Sequence, residues 1–338
     1  MTKLIKAYLL FIIKSVTTVL IVLLIALIGS NLNNKLSKAN TNNRLVIKNL
    51  TQSYFNTQKN ITQKIYLKGE VKRLMIGSNH NQNEESNKIF VIKFDSDAQG
   101  KETELLKNEI TAILSIASNK DKVVLILESP GGTVNAYGLA SSELERIRAR
   151  GINLTVLIDK VAASGGYMMA VIGSEIIAAP FAIIGSIGVL AEIPNFSERL
   201  QREGVKYEQI MSGEHKKSIS MFSKNTEEGR QKMQEDINII HSAFIKLVKK
   251  KRPNVDIQKV ATGEFWLASQ AKELGLIDKI MTSEDYLSSL YAHNKQVFLV
   301  HYEKETSVVR KILNTFSLLY DVLYQFDEMI MKRKSSFI

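Results

Sequence analysis

Three glycine-bearing turns hold the residues best suited to covalent chemistry: Glu128-Ser129-Pro130-Gly131-Gly132, Ala162-Ala163-Ser164-Gly165-Gly166 and Gly185-Ser186-Ile187-Gly188. Ser164 stands between small residues and ahead of two glycines, which leaves its hydroxyl accessible and close to backbone donors, as a nucleophile turn requires. The competing reading is that Ser164 caps the helix that follows, and the serine by itself leaves both open. Gly131-Gly132 permits φ > 0 and close backbone approach, so its N–H groups could receive an anion, a phosphate or an oxyanion, or the pair could be a plain turn. The next glycine is Gly138, so no G-x-G-x-x-G is present and a dinucleotide site is not supported.

A serine nucleophile needs a base. The chain has no cysteine, which excludes disulfides, thiolate metal sites and a thiol nucleophile. Of its five histidines, His80 lies in a polar stretch, His241 falls in the middle of an expected helix, and His293 and His301 lie toward the C-terminus. His215 sits beside Lys216 and Lys217 in Gly213-Glu214-His215-Lys216-Lys217-Ser218, just after an expected strand at 205–210. A lysine acts as a base only when neutral. Bringing a lysine from about 10.4 to about 7 or 8 takes about 3 to 5 kcal/mol of differential interaction, which burial can supply. On residue types alone, two adjacent lysines are more often a solvated charge patch than a base.

The elements that must position these residues follow from periodicity. Residues 89–94 read as a buried strand, and 102–118 then place Leu105, Leu106, Ile110, Ile113 and Leu114 at helical spacing. The alternation repeats: strand 123–127, helix 136–150, strand 154–158, a helix after Gly165 and strand 176–179. Such a series predicts a parallel sheet with crossover helices, whose sites form beyond the carboxyl ends of the strands. Helices are also expected at 197–203, at 227–251 with a basic C-terminal end before Pro253, and at 268–274 ended by Gly275.

The N-terminus adds a membrane element. Residues 4–28 are almost wholly apolar, about the length a spanning helix needs; Lys14 is expected to snorkel to a headgroup layer. The stretch lacks an A-x-A site, so a retained anchor is preferred to a cleaved signal peptide. Lysines flank it on both sides and leave its orientation open. The expected organisation is an anchor at 1–30, a polar linker with some helical content at 31–87, a catalytic body at 88–285 and an extension at 286–338 whose final amphipathic segment either lies on a membrane or docks on the domain. With 45% apolar and 23% charged residues, the 338-residue chain can build a true core. Its formal charge of +11 suits anionic surroundings, although lysines that simply solubilise the chain explain it as well.

The motifs "LESPGGTVNAYGLA", "DKVAASGGYMMA", "APFAIIGSIGV", "NTEEGR" and "VATGEFW" occur over residues 91–283. Together they resemble the signal peptide peptidase (SppA) family of serine proteases, and most closely its SohB-like branch. The resemblance implies a Ser–Lys dyad: Ser164 as nucleophile and Lys216, three positions after Gly213, as general base, with Lys217 the next choice. It also implies that Ser186 orients the lysine and that the Gly131 N–H belongs to the oxyanion hole. It further implies a ClpP/crotonase-like fold of stacked β-β-α units, assembly into a ring or dome, and attachment to the bacterial inner membrane with the catalytic body in the periplasm. Expected partners are peptide or protein substrates, the membrane and further copies of the chain; no metal, cofactor or nucleic acid is expected. Two rival readings are a crotonase-type acyl-CoA enzyme, which would use a carboxylate base, and a membrane scaffold without catalysis.

Overall fold

The computed structural model describes residues 43–65, 87–213, 216–293 and 295–304. Packing divides the chain into two units, Met1–Arg44 with Glu303–Ile338, and Leu45–Tyr302. Nearly all the described residues belong to the second. In chain order its elements are β1 (Asn43–Asn49), α1 (Leu50–Ile65), β2 (Lys88–Asp95), α2 (Thr103–Leu114), β3 (Lys122–Glu128), α3 (Val134–Ala149) and β4 (Asn153–Ile158). There follow β5 (Val161–Ala163), α4 (Gly165–Ala170), β6 (Glu175–Ala178), β7 (Ile183–Gly185), α5 (Ser197–Arg202) and α6 (Glu227–Lys251). The last are α7 (Ile257–Val260), β8 (Phe265–Leu267), α8 (Ala268–Glu273), β9 (Lys279–Ile280), α9 (Ser283–Ala292) and β10 (Gln296–Lys304). The fold is mixed α/β with parallel sheets.

One sheet has the order β1-β10-β2-β3-β4-β6-β9, and from β10 to β9 every pair is parallel. Its strands are covered on both faces, which is why β2 carries the unbroken buried run Ile89, Phe90, Val91 and Ile92 in place of an alternation. Successive side chains still point to opposite faces. Phe90, Ile92, Val123, Leu125, Leu154 and Val156 join the larger core with the apolar faces of α2, α3 and α4. Ile89, Val91, Val124, Leu157 and Ile177 face the other way, onto Tyr286, Leu287 and Tyr291 of α9.

A second, three-stranded sheet has the order β5-β7-β8, with β5 and β7 parallel and β7 and β8 antiparallel. It is joined to the first just beyond the end of β3, where Ser129 bridges Ala162: Ser129 N donates to the Val161 carbonyl (2.9 Å) and Ala163 N to the Ser129 carbonyl (3.1 Å). This junction brings the turn after β3 against the turn after β5.

The expected core strands and helices are present, most with ends within two residues of their sequence-based limits. The strand expected at 205–210 is not: that stretch is irregular. Val205 is 51% exposed and Ile210 96% exposed, so among the described residues they cover no apolar face, and no described strand pairs with this stretch. The stretch read as a polar linker contains β1, next to β10 in the sheet, and α1. Among the described residues no helix is long and apolar enough to cross a membrane. The apolar segment at 4–28 and the amphipathic tail lie outside the described residues.

Candidate active site

Ser164 ends β5 and opens α4, with φ 51° and ψ −120°. Among the described residues only Ser164 and Ser186 are non-glycine residues with positive φ. Such backbone strain costs on the order of 1 to 3 kcal/mol and persists only where the surroundings impose it. Here they do: Ser164 N donates to the Gly185 carbonyl (2.8 Å), Ser186 N to the Glu264 carbonyl (2.7 Å), and the Ser164 carbonyl accepts from Met168 N (2.9 Å). Ser164 occupies the N-cap position of α4, but its hydroxyl makes no cap hydrogen bond. The capping alternative is therefore not realised, and the half-buried hydroxyl is left available.

Ser186 follows β7 as Ser164 follows β5, and the register Ala163↔Gly185 sets the two serines side by side. Gly131 completes the group. A Cβ on Gly131 (φ 89°) would lie 2.6 Å from both the Ala163 carbonyl oxygen and Gly165 N, and 2.8 Å from Ser164 Cβ. Only glycine lets the β3 turn approach the serine so closely. Gly166 does the same from the other side, since a Cβ there would stand 2.4 Å from the Ser129 carbonyl oxygen. The Gly131 N–H donates to Ser129 Oγ (3.1 Å).

Among the described residues no hydrogen bond joins Lys216 to Ser164 or Ser186. Lys216 is exposed, its backbone N donates to the Gly213 carbonyl (3.2 Å), and no side-chain hydrogen bond or ion pair joins it to a described residue. Lys217 is exposed as well, and His215 lies outside the described residues. His241 Nε2 stands 3.2 Å from the Ile187 carbonyl, beside the Ser186 turn. His293 Nδ1 bonds the Ser289 carbonyl in α9, and His301 is in β10. A cavity of about 980 Å³ lies between α5 and α6, lined by Tyr207, Phe222, Lys224 and Arg230 among others, and neither Ser164 nor Gly131 borders it. Among the described residues no cluster of His, Asp and Glu could hold a metal ion.

Sequence reasoning did not single out Tyr137, Glu264 or Trp266. Tyr137 is wholly buried, with its ring against Gly165. Trp266 packs where a Cβ on Gly185 would fall, 2.6 Å away. The signal was present in "GGTVNAY" and "GEFW", aromatic residues a few positions after turn glycines, but periodicity assigns such residues to the core.

These strand ends define a mixed α/β protein in which a strained serine, a second serine and a glycine amide converge. The chain matches the model of the peptidase family S49 N-terminal region over residues 3–144 and that of peptidase family S49 over residues 146–297. It is 45% identical over 223 residues to the probable protease SohB of Haemophilus influenzae, a match covering 66% of this chain and 63% of that protein. It is 47% identical over 201 residues to the probable protease SohB of Buchnera aphidicola subsp. Schlechtendalia chinensis, covering 60% and 66%. Protease 4 of Salmonella typhi is 33% identical over 199 residues, covering 58% and 32%. The matches thus span less than two-thirds of the length of these relatives. The chain belongs to peptidase family S49, a family of serine peptidases.

Proposed function

We propose that the chain is a membrane-anchored serine endopeptidase that cleaves peptides or membrane-associated polypeptides through an acyl-enzyme on Ser164. The observation that carries this reading is the strained Ser164, its hydroxyl uncapped, packed against the Gly131 turn. Lys216 takes the hydroxyl proton as Ser164 attacks the peptide carbonyl. The Gly131 N–H stabilises the tetrahedral oxyanion, the protonated lysine gives its proton to the leaving amine as the C–N bond breaks, and water, losing a proton to the neutral lysine, then attacks the acyl-enzyme and frees Ser164. Ser186 orients the lysine.

A lysine serves as base only when screened from water, so exposed Lys216 must be covered before it can act. Assembly of several copies would cover it, and exposed Phe181, Leu190 and Ile210 supply apolar surface for such packing. The body at 88–285 then corresponds to a ClpP/crotonase-like protease domain in a ring or dome. Residues 1–30 anchor it to the bacterial inner membrane through the linker 31–87, with 286–338 as an extension and the catalytic body on the periplasmic side.

The test is labelling of the detergent-solubilised protein by a fluorophosphonate probe between pH 6 and 10. Labelling should require both Ser164 and Lys216, being lost in Ser164→Ala and in Lys216→Ala. Equal labelling of the Lys216→Ala protein would remove Lys216 as the base, and no labelling of the assembled wild type would overturn the activity.

A further inference from the structure

Beneath the Gly131 turn runs a line of hydrogen bonds that the dyad does not use. Gly131 N–H donates to Ser129 Oγ (3.1 Å), Ser129 Oγ lies 2.5 Å from Tyr137 Oη, and Tyr137 Oη donates to the Asp97 carbonyl (2.7 Å). Because the phenol spends its proton on Asp97, the Ser129 hydroxyl must be the donor to Tyr137, and every bond then points the same way. Weaker contacts reach the Ser96 carbonyl from Ser129 Oγ (3.3 Å) and Tyr137 Oη (3.4 Å). Ser129 and Tyr137 are wholly buried. Burial raises the Tyr137 phenol above its ordinary value, so it keeps the proton it donates.

We propose that Ser129 and Tyr137 are positioning residues for the oxyanion donor, holding the peptide between Pro130 and Gly131 in the plane from which Gly131 acts. The inference rests on the reading of Gly131 as that donor. Hydrogen bonds in a directed chain polarise and strengthen one another, so the grip of Ser129 on Gly131 depends on the Tyr137 hydroxyl two bonds away. At 3.1 Å the Gly131 bond is toward the long end of the N–H···O range, and a donor so placed can be shared between two acceptors. An oxygen that becomes negative at Ser164 is the second acceptor, while Ser129 keeps the peptide from rotating away.

Tyr137 also supports the other half of the site. A Cβ on Gly165, the residue after the nucleophile, would fall 2.6 Å from Tyr137 Cγ. The ring thus bears on the nucleophile turn and the hydroxyl on the oxyanion turn. One buried side chain sets the spacing of the two.

The test is steady-state hydrolysis of an apolar acyl-amino-acid ester and of its thionoester by the full-length protein in detergent. Wild type, Tyr137→Phe, Ser129→Ala and Ser164→Ala are compared. Tyr137→Phe keeps the ring against Gly165 and removes only the hydroxyl. It should lower kcat on the oxygen ester about tenfold with KM little changed, less than the 10² to 10³ that loss of a whole donor costs. The thionoester, whose sulfur is a poor acceptor, should show little loss, and Ser129→Ala should repeat the pattern more strongly. Equal losses on both esters would make the pair merely structural, and unchanged kcat in Tyr137→Phe would remove it altogether; either overturns the inference alone. Wild-type turnover that survives in Ser164→Ala, or none at all, overturns the proposed activity and the inference with it.

Discussion

At Gly131 a single hydrogen atom in place of a methyl group decides whether two turns can meet. The nearest atoms to a Cβ there belong to backbone, which cannot rotate aside, and φ 89° is itself unfavourable to an L side chain. Gly131→Ala should therefore abolish fluorophosphonate labelling and destabilise the fold by about 1 to 3 kcal/mol, read from urea midpoints. Gly138 provides the contrast, because it lies inside α3 with nothing within 4 Å of its Cβ position. Gly138→Ala should leave labelling intact and raise stability by about 0.5 to 1 kcal/mol. Destabilisation by the second substitution would show that open space at the glycine is not what governs the effect.

Between elements, the docking of β10 on α2 carries a buried charge. Glu109 of α2 is 4% exposed and its carboxylate accepts the Tyr302 N–H of β10 at 3.0 Å. Burial raises its pKa from 4.5 to about 7, the Tyr302 N–H opposes the shift, and the charge of Glu102 adds to it. A carboxyl with a raised folded-state pKa binds its proton more tightly when folded, so stability falls as pH rises through the window from 4.5 to about 7. The loss is on the order of 2 to 3 kcal/mol at neutral pH. Glu109→Gln keeps an acceptor for Tyr302 without the charge. It should be more stable than wild type at pH 8, with the difference narrowing toward pH 5 in urea titrations. A difference independent of pH would show that Glu109 does not titrate in this window.

For the molecule as a whole, the exposure of Lys216 makes assembly the deciding variable. If a lysine from one copy serves the serine of another, the two inactive proteins complement each other. Ser164→Ala mixed with Lys216→Ala and reassembled should regain fluorophosphonate labelling on the Lys216→Ala copies, which retain the serine. Light scattering should give a mass of several chains. Mixed assemblies of confirmed stoichiometry that remain unlabelled would place both members of the dyad in one copy. Phe181, Leu190 and Ile210 are exposed apolar residues that the proposed assembly would cover, at about 25 cal/mol per Å² before the costs of association are deducted.

Local pattern was enough to read the parallel sheet, because a strand such as 89–94 and a helix such as 227–251 announce themselves through apolar runs and 3.6-residue periodicity. It was enough, too, to mark the three glycine-bearing turns that hold Ser164, Ser186 and Gly131, since the need for glycine or a small residue at a tight turn is written at the turn itself, while the roles given to these residues came from the family resemblance. Neighbouring chain could not show that Ser164 declines to cap its helix. That goes with the hydrogen bond to Gly185 that helps hold its backbone, and the partner arrives 21 residues later. Nor could it show Tyr137, whose apolar period assigns it to the core while its hydroxyl reaches Ser129 and Asp97. The strand expected at 205–210 failed for the complementary reason: its apolar residues were legible, but a strand needs a neighbour, and only the tertiary structure decides whether one is there.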